Sequence, residues 1–383
     1  MREDWDKKTL GELGKVCMCK RIMKHQTSTE GDIPFYKIGT FGKSPNAYID
    51  NETYLSFKEK YSFPKVGDIL ISAAGTIGRR VIYDGEPAYF QDSNIVWIDN
   101  NKDLVSNDYL YHFYGFCNWN PSKGATISRL YHADLRRIEI PIPPISEQKE
   151  IVSILDDAFA SIDKAKANIE RNIENAKDLF QSQKETYIQL LSKDLSLTPI
   201  TDVCEKIFAG GDKPKDYFSK TKTDECQIPI ISNGAKNDGL YGFTKTPKVT
   251  KSSITVSARG TIGYTVFRNY PFVPIVRLIV LTPKDDIIAP EYLMRVLQSL
   301  DILRTGSSIP QLTVPMIKTY SIPVPSIEKQ TELVASLNQL EKLTKSSISM
   351  YEKELENLEE LKKSILQKAF SGELVKEETY EKI

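Results

Sequence analysis

The sequence predicts an α+β fold in which two similar globular α/β domains are separated by two long helices that form an antiparallel coiled coil. Two observations lead to this prediction. Two runs of roughly 45 residues contain neither proline nor glycine, as long helices require, and the second half of the chain repeats the first. The predicted ranges are 1–145 for the first globular domain, 146–193 for the first helix, 194–325 for the second globular domain, 326–375 for the second helix and 376–383 for a C-terminal tail.

The first long helix follows a proline cluster at 141–144. Proline cannot lie inside a helix, so a proline-rich border before a run without breakers indicates a helix start. Apolar or small residues then recur at alternating steps of about four and three, which is typical of a coiled-coil seam. A helix of roughly 45 residues is about 65 Å long and needs a partner. The predicted seam residues are Ile151, Leu155, Ala158, Ile162, Ala165, Ile169, Ile173, Ala176, Phe180, Gln183, Tyr187 and Leu190.

The second long helix supplies this partner. It follows another proline border at 323–325, and its apolar positions reproduce the first seam almost position for position, as Leu333 does for Ile151. The segments that precede the helices also agree, although the order Gln-Lys after the glutamate of the first copy becomes Lys-Gln in the second. Internal duplication therefore organises the chain. The predicted second seam is Leu333, Leu337, Leu340, Thr344, Ser347, Tyr351, Leu355, Leu358, Ile365 and Ala369.

The two globular domains have the same predicted order of elements. In each, three short β-rich runs separated by turns precede one helix. The clearest correspondence is Ser-Ala-x-Gly-Thr-Ile-Gly at 72–78 and 257–263, and a second is Gly-x-x-Ile at 124–130 and 306–312. The predicted strands are 68–72, 81–83 and 95–98 in the first domain and 253–257, 264–267 and 276–280 in the second, and the predicted helices lie near 107–116 and 290–303.

The order globule, helix, globule, helix constrains the arrangement. The first helix ends close to the start of the second domain, so two copied helices can pair only by folding back, which gives an antiparallel pair and a pseudo-twofold repeat. Double-stranded DNA offers such a molecule two similar sites at a fixed distance. We therefore expect the helices to act as a ruler between two half-sites. The loops at 43–48 and 233–239 differ, which indicates two different half-sites.

Composition and charge limit the possible partners. The chain has 51 basic and 51 acidic residues, which excludes a strongly basic tail, and its basic surplus lies in the globular domains while the helices are acidic. The globular domains are therefore the expected contacts for a polyanion. The N-terminus has no apolar signal segment and the longest apolar run, 272–281, is short and contains Arg277, so we expect neither secretion nor a membrane span. The five cysteines, an odd number, fit a reducing cytoplasm.

These paired motifs resemble the specificity subunit of type I restriction-modification enzymes, and the resemblance covers essentially the whole chain. It rests on the two loops at 72–78 and 257–263, on the two proline-containing helix starts, on the loop at 305–312 and on the C-terminal segment 366–374. Each motif is weak alone, but two copies in the same order are a strong signal. The C-terminal motif is blurred in the first copy, at 184–189, which indicates unequal docking surfaces for partner subunits.

The resemblance implies two target recognition domains that each read one half of a bipartite double-stranded DNA site, with the paired helices as spacer. It also implies that two DNA adenine methyltransferase (modification) subunits dock on those helices and that restriction subunits join them. Base flipping and S-adenosylmethionine would belong to the modification subunits, and ATP and Mg would serve restriction. No cofactor and no catalytic residue are expected in this chain itself.

Direct inspection for catalytic motifs agrees with that expectation. The chain lacks an Asn/Asp-Pro-Pro-Tyr/Phe segment and a glycine fingerprint for a nucleoside cofactor, which argues against a fused methyltransferase. The segment 39–44 has two residues between its glycines where a phosphate loop needs four. Asp134, Glu147 and Lys149 superficially suggest a nuclease carboxylate set, but the macrodipole at a helix start already explains Glu147.

No metal site is expected either. Cys17 and Cys19 have no His pair nearby in the sequence. His25, His112 and His132 form no recognisable ligand pattern.

Candidate DNA contacts come from the loops of both domains. Arg or Lys can read guanine, and Asn or Gln adenine, in the major groove. The glycines of the paired loops indicate a tight turn, and close approach of the backbone to phosphate is the alternative. For each single residue, a solvated loop is the other interpretation. The candidates are Lys43, Asn46, Thr76, Arg79, Arg80, Gln91, Asn94 and Arg129 in the first domain, and Asn233, Lys236, Asn237, Lys248, Arg259, Thr261, Arg268 and Gln311 in the second.

The sequence thus predicts a non-catalytic subunit that gives DNA sequence specificity. The alternative hypothesis is a protein-interaction scaffold in which the coiled coil is the functional surface and the globular domains bind other proteins.

Overall fold

The computed structural model describes residues 2, 4–119, 129–300 and 311–375. The chain divides into two compact units, of which unit 1 comprises Met1–Ile169 and Lys353–Ile383 and unit 2 comprises Glu170–Glu352. Both long helices therefore contribute to both units. Most of the paired segments at 124–130 and 306–312, and the predicted tail 376–383, lie outside the described residues.

Unit 1 begins with a mixed α/β domain that leads into the first long helix, α5. The described elements are β1 (Asp6–Thr9), α1 (Leu10–Leu13), β2 (Gly14–Cys17), a 3-10 turn (Lys24–Gln26), β3 (Ile33–Tyr36), β4 (Tyr48–Ile49), α2 (Asn51–Lys60), β5 (Ile69–Ser72), β6 (Arg80–Ile82), β7 (Tyr89–Phe90), β8 (Ile95–Asn100), α3 (Asn107–Phe116), α4 (His132–Arg136), β9 (Glu139–Ile142) and α5 (Ile145–Asp194).

Unit 2 repeats this plan with its own strands and helices. Its elements are β10 (Leu197–Pro199), α6 (Ile200–Val203), β11 (Cys204–Ala209), β12 (Ile228–Ile231), a 3-10 turn (Lys236–Gly239), β13 (Leu240–Thr244), β14 (Ser253–Val256), β15 (Thr265–Arg268), β16 (Val273–Pro274), β17 (Ile279–Pro283), α7 (Pro290–Ser299), α8 (Val314–Lys318), β18 (Ser321–Pro323) and α9 (Ile327–Ser371).

The strand order of the two units corresponds sheet by sheet. Unit 1 has a β1-β9 pair, a four-stranded sheet β2-β8-β5-β6 and a three-stranded sheet β4-β3-β7. Unit 2 has β10-β18, β11-β17-β14-β15 and β13-β12-β16 in the same roles. The predicted α+β class with an internal repeat is confirmed.

The four-stranded sheet of unit 1 is buried on both faces because alternate side chains of a strand point to opposite sides. Ile69 and Ile71 of β5 join the core formed with α3 and the long helices. Leu70, between them, joins a separate core with Phe35 and Tyr89 of the three-stranded sheet. This layered arrangement explains why the predicted strands are short and almost entirely apolar.

A buried glutamine fixes the start of each long helix to its own domain. Gln148 is 0 % exposed, accepts a hydrogen bond from Ser106 N (2.9 Å) and donates to the carbonyl oxygens of Leu104 and Pro143 (both 2.9 Å). Gln330 is also 0 % exposed. It makes the same three bonds, to Ala289 N (2.7 Å), Ile287 O (3.0 Å) and Pro325 O (2.8 Å).

This equivalence corrects the sequence comparison of the two helix starts. An alignment of the glutamates makes Gln and Lys change places between the copies. The structure aligns the glutamines instead, because a buried amide with three backbone partners cannot be exchanged for lysine without leaving those partners unpaired.

Within each unit, the two long helices lie side by side and run in opposite directions. In unit 1, Ile151 and Leu155 near the start of α5 share a core with Leu366 and Phe370 near the end of α9. In unit 2, Ile188 near the end of α5 shares a core with Leu333 near the start of α9. The predicted antiparallel pairing is confirmed.

The predicted seam of α5 is wrong over its last turns. Tyr187 and Leu190 are 41 % and 52 % exposed, and Gln183 is exposed as well. Lys184 and Ile188 are buried instead, at 6 % each. Two consecutive steps of four after Phe180 move the buried stripe by one residue, because this end of α5 packs against the unit 2 domain, where Lys184 Nζ contacts Gln298 O (3.5 Å). A seam with strictly alternating steps of four and three residues does not predict this contact.

In the described part of the chain, no helix combines the length and the apolar character that a membrane crossing requires.

Candidate nucleic-acid interface

Each unit presents a tight hairpin turn at the end of its central strand, formed by the repeated Gly-Thr-Ile-Gly sequence. We call residues 72–78 the first GTIG turn and residues 257–263 the second. Both are closed by the same bond, from Gly78 N to Ser72 O (3.1 Å) and from Gly263 N to Ser257 O (3.0 Å). Gly78 and Gly263 have φ of +81° and +84°, a conformation that favours glycine. The glycines are therefore explained by the turn.

The segments that begin at Arg129 and Gln311 pair with the GTIG turn of their own unit. Leu130 N donates to Ala73 O, and Leu312 N donates to Ala258 O, both at 2.9 Å. An arginine lies where this segment meets the GTIG turn in each copy, but it belongs to the segment in one unit and to the turn in the other. In unit 1 it is Arg129, which pairs with Ala74 across an isolated bridge, and in unit 2 it is Arg259 of the turn itself.

Three of the predicted contacts of unit 1 meet in one open cleft. Gln91, Asn94 and Arg129 line it, and Arg129 Nη2 donates to Ser93 Oγ at 2.7 Å. Four cationic side chains and one carboxylate face this cleft, so it carries the positive charge that DNA phosphates require. The full lining is Arg21, Ile22, Lys24, Thr27, Phe35, Lys37, Gln91, Asp92, Ser93, Asn94 and Arg129, and we call it the unit 1 cleft.

Sequence reasoning missed three cations of the unit 1 cleft, namely Arg21, Lys24 and Lys37. The first two belong to a short basic segment at 20–25, whose density of Lys, Arg and His is the signal that indicates them. Arg21 is 67 % exposed at its side chain and forms an ion pair with Asp92 at 2.6 Å. The side chain of Asp92 is only 14 % exposed, so the pair is open to solvent on the Arg21 side, where the guanidinium is accessible to a phosphate.

Several predicted residues of unit 1, including Gln91 of the unit 1 cleft, make contacts within the domain framework. Arg79 Nη1 donates to Phe41 O (2.8 Å), and Gln91 Oε1 accepts from Ile38 N (2.8 Å). The guanidinium of Arg80 stacks on the ring of Tyr111 with its carbon 4.3 Å from the ring centroid. The structure therefore places Arg80 against α3 and outside the residues that line the unit 1 cleft.

In unit 2, Asn233 joins two neighbouring loops. Its Oδ1 accepts a hydrogen bond from Ala258 N of the second GTIG turn (2.7 Å), and its Nδ2 donates to Val276 O (2.6 Å). Arg259 Nη2 donates to Gln311 Oε1 at 3.2 Å beside the same turn. The structure thus brings three predicted contacts together around the loop that contains Val276.

The loop with Val276 corrects a predicted strand. We expected a strand at 276–280, but β17 begins at Ile279. Val276 and Arg277 have φ of +54° and +61°, so the backbone turns there before the strand starts. The apolar residues around Arg277 in the run 272–281 suggested a strand and concealed this turn.

Arg268 is a framework residue, which corrects its prediction as a DNA contact. It is 3 % exposed, and its guanidinium donates to Thr255 Oγ1 (3.2 Å), Tyr270 Oη (2.9 Å) and Asp238 O (2.5 Å). A guanidinium held on three sides inside the domain cannot reach DNA in this conformation. It supports the loop of Asp238, whose carboxylate accepts a hydrogen bond from Tyr264 Oη (2.5 Å) and thereby raises the pKa of Tyr264.

The remaining candidates stay predictions. Each of them is exposed on a loop of its own unit, where it is free to contact a ligand. They are Lys43, Asn46 and Thr76 in unit 1, and Lys236, Asn237, Lys248 and Thr261 in unit 2.

The residues considered for other chemistry have structural partners. Glu147 accepts hydrogen bonds from Arg2 Nη1 (2.7 Å) and Trp5 Nε1 (3.3 Å), which ties the N-terminal segment to α5. Cys19 is 2 % exposed, and burial raises the pKa of its thiol to about 12. Across the described residues, no group of three or more His, Cys, Asp or Glu side chains is placed to hold a metal ion.

Comparison with known families gives a match to both halves of the chain. The sequence profile of the family described as Type I restriction modification DNA specificity domain matches residues 2–175 and again residues 193–357. The two matches correspond to the two copies of the repeat.

Two individual relatives of this chain are named as specificity subunits of type I systems. The chain is 65 % identical over 147 residues to S.HindORF215P of Haemophilus influenzae, a protein assigned as a type I restriction enzyme specificity subunit, and this match covers 38 % of each chain. It is 34 % identical over 206 residues to the type I specificity subunit S.MpnORF507P of Mycoplasma pneumoniae, over 53 % of this chain and 55 % of that protein. The matches to these relatives therefore span about a third to a half of their length.

Solved structures share the fold over almost the whole chain. A chain from a study of complex assembly and conformational transition of the type I R-M system superposes with a TM-score of 0.75 at 18 % identity, over 98 % of this chain and 99 % of that one. The HsdS subunit from Thermoanaerobacter tengcongensis superposes with a TM-score of 0.60, also at 18 % identity, over 98 % of both chains.

Proposed function

Because this chain belongs to the family of type I restriction modification DNA specificity domains, we propose that it is the subunit that gives a type I restriction-modification complex its DNA sequence specificity. Unit 1 reads one half of a bipartite site and unit 2 reads the other. The observation that carries this proposal is the repeat itself, in which one framework presents different side chains at corresponding places. Arg129 of unit 1 stands where unit 2 has Gln311, and Ala74 stands where unit 2 has Arg259.

The side chains at these places suit recognition of base pairs. Arginine binds the acceptor pair of guanine, and asparagine or glutamine binds adenine, in the major groove. The surrounding lysines neutralise phosphates and set the position of the protein on the duplex, without carrying sequence information. The unit 1 cleft contains both kinds of residue, with Asn94 and Arg129 beside Lys24 and Lys37.

The long helices provide the second part of the function. We propose that α5 and α9 together set the number of base pairs between the half-sites and bind two modification subunits. Leu179 of α5 and Leu361 of α9, which occupy equivalent positions of the repeat, are 57 % and 47 % exposed. An apolar side chain exposed at the same place in both copies suits one contact that the two docking surfaces share, although these surfaces differ at the C-terminal motif.

In this proposal, the modification and restriction subunits carry out the chemical reactions. The chain acts as a recognition subunit without a cofactor of its own, the modification subunits bind S-adenosylmethionine and methylate adenine, and restriction subunits use ATP and Mg. Since the proposed ligand is chromosomal DNA, the complex works in the cytoplasm. The family match supports DNA recognition and gives no support to a scaffold that binds proteins alone.

A salt titration tests the DNA-binding role. We expect the complex of this chain with its modification subunits to bind its site specifically in a gel-shift assay, with an affinity that falls as salt rises because counterions are released from the phosphates. Lys24→Ala should weaken binding to every sequence and reduce the slope of log affinity against log salt by about one.

The control for that variant is Lys60→Ala, which removes the same charge from the last turn of α2 and does not affect a residue lining the unit 1 cleft. Its affinity and salt dependence should equal those of the wild type. A complex without specific DNA binding, or with binding that does not depend on salt, would contradict the proposed function.

A further inference from the structure

The turn between β16 and β17 of unit 2 has a strained backbone. Val276 and Arg277 follow each other with φ of +54° and +61°, in the left-handed region that L-residues rarely adopt. Valine is particularly unsuited to this region because its β-carbon is branched. Strain of this kind persists where the surrounding structure enforces it, and it concentrates at functional sites.

The framework of unit 2 holds this turn from several directions. Val276 N donates to Gly211 O (2.8 Å) and Arg277 N to Gly210 O (2.9 Å). Asn233 Nδ2 donates to Val276 O (2.6 Å). A Cβ atom at Gly210 would lie 2.6 Å from the backbone of Pro274, so a glycine is required for this close approach. The strained conformation is therefore built into the domain.

The held turn presents a charged side chain to solvent. Val276 is 47 % exposed and Arg277 is exposed, although the residues on either side, Ile275 and Leu278, are 1 % and 2 % exposed. Among the described residues, the guanidinium of Arg277 has no hydrogen-bond or ion-pair partner. Neither packing nor an internal ion pair explains why an arginine stands at this position.

The turn adjoins the other candidate contacts of unit 2. Asn233 connects it to Ala258 of the second GTIG turn, next to the pair of Arg259 and Gln311. On its other side, Gly211 lies against Lys248, whose Nζ is 3.8 Å from the position of a Cβ on that glycine. Arg277 thus belongs to a continuous surface of polar and basic side chains.

The repeat supplies an independent argument. The turn at 92–94 precedes β8 in unit 1, as the turn of Arg277 precedes β17 in unit 2. Asn94 O accepts a hydrogen bond from Ala73 N of the first GTIG turn (2.8 Å), so this turn too is tied to its GTIG turn, and Asn94 faces the unit 1 cleft. The same framework position therefore carries Asn in one copy and Arg in the other, as expected of an element that reads different bases.

We propose that Arg277 is a specificity-determining residue of the second half-site, which contacts the edge of a guanine in the major groove, and that Asn233 is its positioning residue. The chemical basis is the match between the guanidinium donors and the N7 and O6 acceptors of guanine. This inference rests on the proposed function, because it concerns how one of the two half-sites is read.

The test uses the complete complex with its modification subunits and a set of DNA duplexes in which every position of both half-sites is varied. Arg277→Ala should lower the affinity for the cognate site about 5- to 150-fold. Discrimination should disappear at one base pair of the second half-site and remain unchanged in the first half-site. Lys318→Ala removes one positive charge from the last turn of α8 in the same unit and should leave both affinity and discrimination unchanged.

A second variant separates reading from folding. Val276→Gly keeps Arg277 and the backbone bonds of the turn and relieves the strain, because glycine adopts positive φ freely, so the melting temperature should rise while discrimination at the same base pair is retained. Asn233→Ala should reduce discrimination at that base pair, because it removes the bond that holds Val276 O.

Each outcome of this test decides between the alternatives. An equal loss of affinity for all sequences in Arg277→Ala would identify a phosphate contact and overturn the inference, as would an unchanged profile, while the proposed function would stand in both cases. A wild-type complex without sequence-specific binding would overturn the proposed function and this inference with it.

Discussion

Replacing Gln148 with leucine is expected to lower the free energy of unfolding of unit 1 by about 3 to 5 kcal/mol. The leucine fills a similar volume but cannot make the three hydrogen bonds of the buried amide, to Ser106 N, Leu104 O and Pro143 O. A backbone group that loses its partner costs about 1 to 3 kcal/mol, and two of the three bonds are only part-buried and lie at the lower end of that range. The loss also frees the start of α5 from the loop before α3, so the geometry between helix and domain becomes looser.

Tryptophan fluorescence in a urea titration measures this effect selectively. The three tryptophans of the chain, Trp5, Trp97 and Trp119, all belong to unit 1. The matched variant Gln330→Leu removes the equivalent three bonds in unit 2. It should shift the transition seen by far-ultraviolet circular dichroism and leave the tryptophan transition close to that of the wild type. Equal shifts of the tryptophan transition in both variants would contradict the assignment of each glutamine to its own unit.

Lengthening both long helices by one heptad is expected to move DNA methylation to sites whose halves are about three base pairs further apart. Seven residues, close to two helical turns, add about 10 Å of helix, and one base pair spans about 3.4 Å of duplex. Duplicating residues 163–169 in α5 and the equivalent residues 345–351 in α9 keeps the spacing of the seam in both helices. The affinity for the original site should fall to the non-specific level.

Mapping of methylated adenines in cells that carry the extended chain with its modification subunits measures the new spacing. The control lengthens α5 alone, which should abolish specific methylation because the partner helix no longer matches. An unchanged spacer in the doubly extended chain would show that the helix pair does not set the distance.

The long helices and the repeat could be predicted from sequence because their signals are local or internal to the chain. Proline borders, runs without breakers and apolar periodicity depend on residues close together in sequence. The helix expected near 107–116 coincides with α3 for the same reason. The error in the α5 seam at Lys184 and Ile188 arose where the helix packs against a globular domain as well as against its partner helix.

The composition of the candidate interface could be predicted only in part, because it depends on contacts between distant segments. Gln91, Asn94 and Arg129 were proposed separately, and it is the pairing of β5 with β8 and the bond from Leu130 to Ala73 that bring them into one cleft. No local pattern contains that register.

Arg268 and Arg277 show the limits of reading charge from sequence. In the two equivalent hairpins, Phe267 pairs with Ile254 as Ile82 pairs with Ile69. The next residue, Arg268, therefore occupies the position of Tyr83, which is also buried. The predicted strand at 276–280 includes Arg277, but this residue lies on a turn, because hydrogen bonds from other segments hold it at positive φ. The arginine predicted to contact DNA is buried, and the arginine predicted to lie in a strand is exposed on a turn.

The central claim is that each unit reads its own half of a bipartite site. Exchange of residues 1–139 for those of another family member, followed by mapping of methylated adenines in cells with the modification subunits, tests it most directly. We predict that one half of the methylated sequence changes to that of the donor, while the other half and the number of base pairs between them persist. A change in both halves, or in neither, would contradict the claim.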